Sequence, residues 1–199
     1  MNNFQIFAGI VATILPFVAY APYLRDTAKG KTRPNPITWL SWLSGLSVAT
    51  AILIFNGGGG AVWMQLAVIS IMLAIIILAF KNGAKRDIKP ADLLCFAGAI
   101  IALALWQIAK NPALAMTLLA LVGIFGVIPT VRKSWSKPHT ETLATWLIEI
   151  VTTLFGIAAL ATLNYTTLIN PLTNIFGNLA IILVCLGRRQ TYLNVNLAK

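Results

Sequence analysis

Pro22-Tyr23-Leu24-Arg25, followed after a basic stretch by Thr38-Trp39-Leu40, returns 107 residues later as Pro129-Thr130-Val131-Arg132 and Thr145-Trp146-Leu147. A proline, an arginine and a Thr-Trp-Leu triplet recur in one register without a gap. The same offset pairs Ala8 with Ala115, Leu53 with Leu160, Ile75 with Ile182, and the helix-ending cation Lys81 with Arg188. Scattered alanines and leucines match by chance, but a shared tryptophan, a shared proline and matching helix ends do not. The chain therefore reads as an internal duplication, and a repeat of this length organises everything around it.

The medium in which the two copies fold follows from composition. Of 199 residues, 58% are hydrophobic and 10% charged, against about 25% charged in an ordinary soluble domain. With a mean hydropathy of +0.83, so much apolar surface does not fit inside one small water-soluble core, which argues against a soluble enzyme. Crossing about 30 Å of hydrocarbon takes roughly 20 helical residues. Runs of that kind are read at 4–24, 36–56, 61–80, 91–110, 112–131, 142–163 and 168–187. The first is too long for a signal-peptide core and lacks a small-residue cleavage pattern, so it is kept as a span.

The net charge of +10 would suggest nucleic acid in a soluble protein, but its placement gives another meaning. Arg25, Lys29, Lys31 and Arg33 lie in one connection and Lys81, Lys85, Arg86 and Lys89 in another. Arg132, Lys133 and Lys137 form a third group, and Arg188, Arg189 and Lys199 close the chain. The alternate connections are the Gly57 to Gly60 run, Lys110-Asn111-Pro112, and Asn164 to Thr167. All 15 basic residues except Lys110 thus fall on one face. The positive-inside rule makes that face cytoplasmic, with the amino terminus outside and the carboxyl terminus inside. The nucleic-acid reading can be dropped.

The 107-residue offset carries run 1 onto run 5, run 2 onto run 6 and run 3 onto run 7. Runs 1 and 5 point the same way, so the two copies share an orientation and are related by an axis along the membrane normal. Run 4 has no counterpart and restores that orientation. The expected fold is an all-α membrane protein of seven transmembrane helices, two parallel three-helix bundles joined by an inverting linker helix. Residues 1–89 form the first repeat, 90–111 the linker, and 112–199 the second repeat with a short cytoplasmic tail.

This plan resembles the PQ-loop and SWEET superfamily. The resemblance covers nearly the whole chain in topology and only part of the residue motifs. The namesake Pro-Gln near the inner ends of helices 1 and 5 reads here as Pro22-Tyr23 and Pro129-Thr130: the prolines are kept and the glutamines are not. Lys31-Thr32 and Lys137-Pro138 stand where the family has a Lys-Ser stretch. The resemblance implies a small-solute transporter with alternating access, for sugars in the SWEET branch and for amino acids with protons in the lysosomal branch. The same scaffold also serves a sorting receptor, so fold leaves activity open.

Glu149 is the most informative single residue. It stands about 12 Å into the sixth run from the basic face, where a carboxylate facing lipid costs about 2.5 kcal/mol or more. Thr142, Thr145, Thr152, Thr153 and Gly156 share its helical face, so it is expected to face the bundle interior. There it would bind a hydroxyl or ammonium group, or take up and release a proton; a structural hydrogen bond to neighbouring threonines is the plainer alternative. Its repeat mate is Trp42. Asn170, Asn174 and Asn178 follow at steps of four, with Asn174 and Asn178 at the depth of Glu149. In SWEET relatives helices 3 and 7 contribute asparagines to the central pocket, but the helix-3 positions here are Ala67 and Ile71, which weakens a symmetric sugar clamp. The plainer role for the asparagines is helix-to-helix hydrogen bonding.

Trp42 is deep enough to be a pocket wall, whereas Trp39 and Trp146 suit an interfacial belt. Pro16, Pro22 and Pro129 each remove a backbone hydrogen bond and bend a helix, so they are the candidate hinges or gates. Thr13 and Tyr20 share a face with Pro16 and are weaker candidates for the path.

Cys95 and Cys185 both lie in apolar runs, which gives no disulfide framework and no metal-ligand spacing. His139 reads as a solvated loop residue. No phosphate-binding glycine loop and no nucleophile elbow occurs, so no cofactor and no catalytic residue is expected, and concentrative transport would draw on an ion gradient. The function expected is an integral membrane transporter of a small polar solute, sugar or amino acid, with a non-transporting receptor or accessory protein as the alternative. The expected partners are that solute, the lipid bilayer and a proton; a homo-oligomer stays open. A bacterial cytoplasmic membrane suits the compact chain.

Overall fold

The computed structural model describes residues 2–55 and 60–197; most of the Gly57 to Gly60 connection and the terminal Lys199 lie outside them. Among the described residues are seven α-helices and no strand: α1 (Asn3–Ala28), α2 (Pro36–Phe55), α3 (Gly60–Lys81), α4 (Pro90–Ile108), α5 (Pro112–Ser136), α6 (Leu143–Ala158) and α7 (Tyr165–Leu197). Short 3-10 turns at Ala84–Asp87 and Pro138–Thr140 precede α4 and α6.

Local chemistry explains where the helices start. Asn2 accepts a hydrogen bond from the Gln5 amide at 2.8 Å while Gln5 accepts from the Asn2 amide at 2.9 Å, a reciprocal cap for α1. Helices α2, α4 and α5 begin at Pro36, Pro90 and Pro112, where the missing N–H has no helical use. Asn35 and Asn111 accept from the first-turn amides of α2 and α5. Gly30 takes a positive φ of 69° just beyond the end of α1, a conformation that costs glycine nothing.

The ends differ from the apolar runs in a consistent direction. Helix α5 passes Val131 and continues to Ser136, and α7 continues past Gly187 to Leu197. Apolarity stops where lipid stops, but Arg, Lys and Gln are good helix formers and carry the helix onward. Tyr165 to Thr167 belong to the first turn of α7, with Asn164 accepting from the Thr167 amide at 3.1 Å. Helix α6 stops early, at Ala158, and the Leu160 carbonyl is taken by the Gln5 side chain at 3.0 Å.

Four helical stretches are long and apolar enough to cross a membrane: Asn3–Ala28, Pro90–Ile108, Pro112–Ser136 and Tyr165–Thr191. Shorter apolar helices cover Gln65–Lys81 and Leu143–Ala158. Large apolar side chains such as Ile10, Ile77, Ile101, Leu147, Phe176 and Leu183 are exposed on the outside. Hydrocarbon rather than water suits that surface, and the chain is an integral membrane protein of α-helices.

Packing between helices is cyclic. Helix α1 packs on α3 and α6, α2 packs on α3 and α5, and α7 packs on α5 and α6. Six helices thereby close a ring in the order α1, α3, α2, α5, α7, α6, while α4 lies against α2 and α5. At one crossing of α2 and α5, a Cβ on Gly126 would stand 2.5 Å from Trp42 Nε1, so only glycine admits the indole. The main core gathers Tyr20, Tyr23, Trp39, Ile75, Trp146 and Ile181 from α1, α2, α3, α6 and α7.

Candidate functional site

A cavity of about 540 Å³ lies among α1, α2, α3, α5, α6 and α7. Glu149 from α6, Asn174 and Asn178 from α7 and Trp42 from α2 all line it. The structure thus brings the four sequence-predicted binding residues to one space. The repeat mates Trp42 and Glu149 stand on its walls together, so equivalent positions of the two copies offer an indole and a carboxylate to the same volume.

The polar groups are organised around Asn174. Its Oδ1 accepts from the Thr153 hydroxyl at 2.9 Å and from Asn178 Nδ2 at 2.8 Å. The Thr153 hydroxyl also reaches the Glu149 carbonyl one turn back, at 2.8 Å. Spacing of four along α7 puts the two asparagines over one another, and this ties α6 to α7. Glu149 is treated differently. Its Oε1 is buried and has no hydrogen-bond partner, and the Tyr20 hydroxyl is the polar group beside its carboxyl. Among the described residues no lysine, arginine or histidine lines the cavity. Asn170 lines it at the end away from the basic groups, held at 3.4 Å to the Met116 carbonyl.

Aromatic rings form the wall toward the basic end. Trp39 and Trp146 were expected at the interface, but their side chains are 0% and 1% exposed. They lie 6.3 Å apart, and Tyr23 packs on both, at 5.2 and 5.6 Å. Trp42 packs on Trp39 at 5.6 Å and on Trp146 at 6.1 Å, and Tyr20 packs on Trp39 at 5.8 Å. Five rings from three helices make a continuous plug. Tyr20, Trp42 and Trp146 present it to the cavity. Thr13, by contrast, is exposed, donates to the Gly9 carbonyl and does not line the space.

Beyond the plug the basic end is closed by ion pairs and hydrogen bonds. Sequence placed Arg132 and Lys133 in a solvated connection; both are on α5, and Lys133 is buried. Arg132 grips Asp92 of α4 through Nε at 2.7 Å and Nη2 at 2.6 Å, and Asp92 also accepts from Asn35 at 3.2 Å. Lys133 pairs with Glu141 and donates to the Arg33 carbonyl. Glu141 further accepts from the Tyr23 hydroxyl at 3.2 Å and from Trp146 Nε1 at 3.1 Å. Lys137 pairs with Asp87, and the Thr142 hydroxyl reaches Asp26 at 3.2 Å. Thr38 and Thr130, which lie one in each of the two repeated segments, bond to each other at 2.8 Å.

The candidate hinges sit within helices: Pro16 and Pro22 inside α1, and Pro129, buried, inside α5. The Pro129 carbonyl accepts from Asn35 at 3.4 Å, and the Ala19 carbonyl, one turn before Pro22, accepts from the Thr145 hydroxyl at 2.8 Å. Near Pro22 and Pro129, then, a side chain from a distant part of the chain bonds the backbone. Pro171 inside α7 lines the cavity and was missed; a proline at the fourth position of the apolar run 168–187 is its only sequence signal. Tyr20 was weighed only as a weak path residue and Trp146 as a belt residue, because spacing along one helix does not reveal which way that helix is turned.

Among the described residues no group of three or more His, Cys, Asp or Glu could hold a metal ion. What the cavity offers is a carboxyl, three amides, three hydroxyls and ring faces in an apolar surround, which suits reversible binding of a small polar molecule. The chain matches no protein-family model, no curated protein and no solved structure.

Proposed function

We propose that this chain is a membrane transporter of a small polar solute that works by alternating access, on a PQ-loop and SWEET-like plan. All seven helices are read as spans in a three plus one plus three order, with the basic face in the cytoplasm. The duplicated motif supports this reading, as does the pairing of contacts: α1 on α6 and α5 on α2 are exchanged by the repeat. So does the order within each triplet, where the third helix packs on both the first and the second.

The observation that carries the transport reading is the position and closure of the cavity. It lies between the two triplets, the five-ring plug and the paired layer seal its basic side, and Asn174 remains exposed within it. A carrier caught open toward the opposite face has this form. Pro16, Pro22 and Pro129 are the hinges at which helices α1 and α5 would flex to open the basic side.

Solute counterflow into proteoliposomes tests the proposal. With cysteines in place of Thr32 and Thr142, whose hydroxyls bond each other between the connection after α1 and the start of α6, oxidation is expected to lock the basic side and stop flux, and reduction to restore it. Flux that persists with the crosslink formed would overturn alternating access, and ligand binding without flux would favour a receptor. Where uptake depends on pH, Glu149→Gln is expected to remove that dependence, because Tyr20 is the only other titratable side chain lining the cavity. Unchanged dependence would reject proton coupling at Glu149.

A further inference from the structure

The cavity carries a carboxyl group for which the described lining supplies no counter-charge. Glu149 lines it, one of its oxygens is buried without a partner, and no Lys, Arg or His shares the lining. The other four acidic residues all have partners at the basic end: Arg25 and Thr142 for Asp26, Lys137 for Asp87, Arg132 for Asp92, and Lys133 for Glu141. A carboxylate in an apolar interior needs a cation or a proton. Here any cation other than a proton must arrive with the solute.

The rings around it have the matching preference. Tyr20, Trp42 and Trp146 line the cavity with Glu149, and Trp42 and Trp146 stand 6.1 Å apart with their planes at 70°. Aromatic faces attract ammonium and guanidinium groups, and tryptophan does so most strongly. The Asn174 and Asn178 amides add neutral donors and acceptors further along, which suit the polar remainder of such a molecule. No cation in the described lining complements a carboxylate or phosphate, which disfavours anions and leaves the acid group of a zwitterion without a positive partner.

Resting on the transport reading, we propose that the solute is an organic cation, its positively charged nitrogen seated between the Glu149 carboxylate and the rings of Tyr20, Trp42 and Trp146. At about 540 Å³ the cavity accommodates a molecule of metabolite size.

The test uses isosteric pairs that differ in charge: choline against 3,3-dimethylbutan-1-ol, and benzylamine against benzyl alcohol, with glucose and glutamate as neutral and anionic comparators. Binding to the purified full chain in detergent is read from tryptophan fluorescence. At least one cation is expected to bind ten-fold or more tightly than its neutral isostere and more tightly than glucose or glutamate. Glu149→Gln is expected to reduce that ratio to near one, with Glu149→Asp intermediate. No saturable cation binding, equal affinity within both pairs, tighter binding of glucose or glutamate, or a cation preference that survives Glu149→Gln would each overturn the proposal. The isostere comparison needs only the parent protein, so it stands even where a variant fails to fold. Counterflow of the same probes separates the two readings: cation-selective binding without flux rejects transport alone, and flux without charge preference rejects the cation alone.

Discussion

Glu141 and Glu149 stand eight residues apart, at the start of α6 and in its middle, and the fold treats them in opposite ways. Glu141 is 4% exposed and saturated, with Lys133, the Tyr23 hydroxyl and the Trp146 indole all donating to it. Glu149 lines a cavity with one oxygen unpartnered and no protein cation beside it. The first joins α1, α5 and α6 at the basic end and has no capacity left for a ligand. The second contributes little to holding helices together and keeps its capacity. A buried carboxylate is thus a structural residue or a binding residue according to what its neighbours leave open, and two residues of one type eight positions apart show both cases.

Substitutions can break this comparison. Glu141→Gln leaves the buried Lys133 ammonium without its counter-charge and is expected to cost about 3–5 kcal/mol, seen as a large fall in melting temperature in detergent. A melting temperature equal to the parent's would mean that Glu141 is not the residue tying the basic end together. Replacing both members, Lys133→Met with Glu141→Leu, removes the stranded charge, and most of that loss is expected to return. Failure of the pair to recover would assign the effect to the Tyr23 and Trp146 hydrogen bonds instead. Thr153→Val removes one hydrogen bond to Asn174 and is expected to cost about 1 kcal/mol in the same measurement. Glu149→Gln is expected to change stability least, by under about 0.5 kcal/mol or toward higher stability, since it removes an unanswered charge. A loss as large as that of Glu141→Gln would erase the distinction between the two residues.

Much of the helical plan and part of the site could be read from sequence because both are written in spacing. The repeated Pro22 to Leu40 motif set the expected register of two copies, and the alternation of basic and neutral connections set the expected direction of each run. Asn174 and Asn178 at a step of four, and Glu149 on a stripe with Thr153, are one-helix patterns, and they meet at the cavity. The basic end was not legible for a different reason. Asp92 and Arg132 are 40 residues apart, and Tyr23 and Glu141 are 118 apart, so nothing local marks them as partners. On sequence alone they are charges and a ring near a membrane surface. The burial of Trp39 and Trp146 depends on how α2 and α6 are rotated about their axes, and an aromatic residue near a helix end reads the same facing lipid or facing its repeat mate.

The ring of helices has two places where the first three helices meet the last three, and they are not built alike. At α2 and α5, Gly126 admits Trp42 at close range and α4 lies across both helices, its Asp92 held by Arg132. At α1 and α6 no further helix covers the joint, and its contacts run from Phe7 on Phe155 and Gln5 on the Leu160 carbonyl to Thr145 on the Ala19 carbonyl and Tyr23 on Trp146 at the basic end. Mechanically this is a book with a bound spine and an uncovered fore-edge. Were the two groups of helices to part as the transport proposal requires, α4 would brace α2 and α5, whereas no other described helix spans the joint of α6 with α1, the helix that carries two prolines.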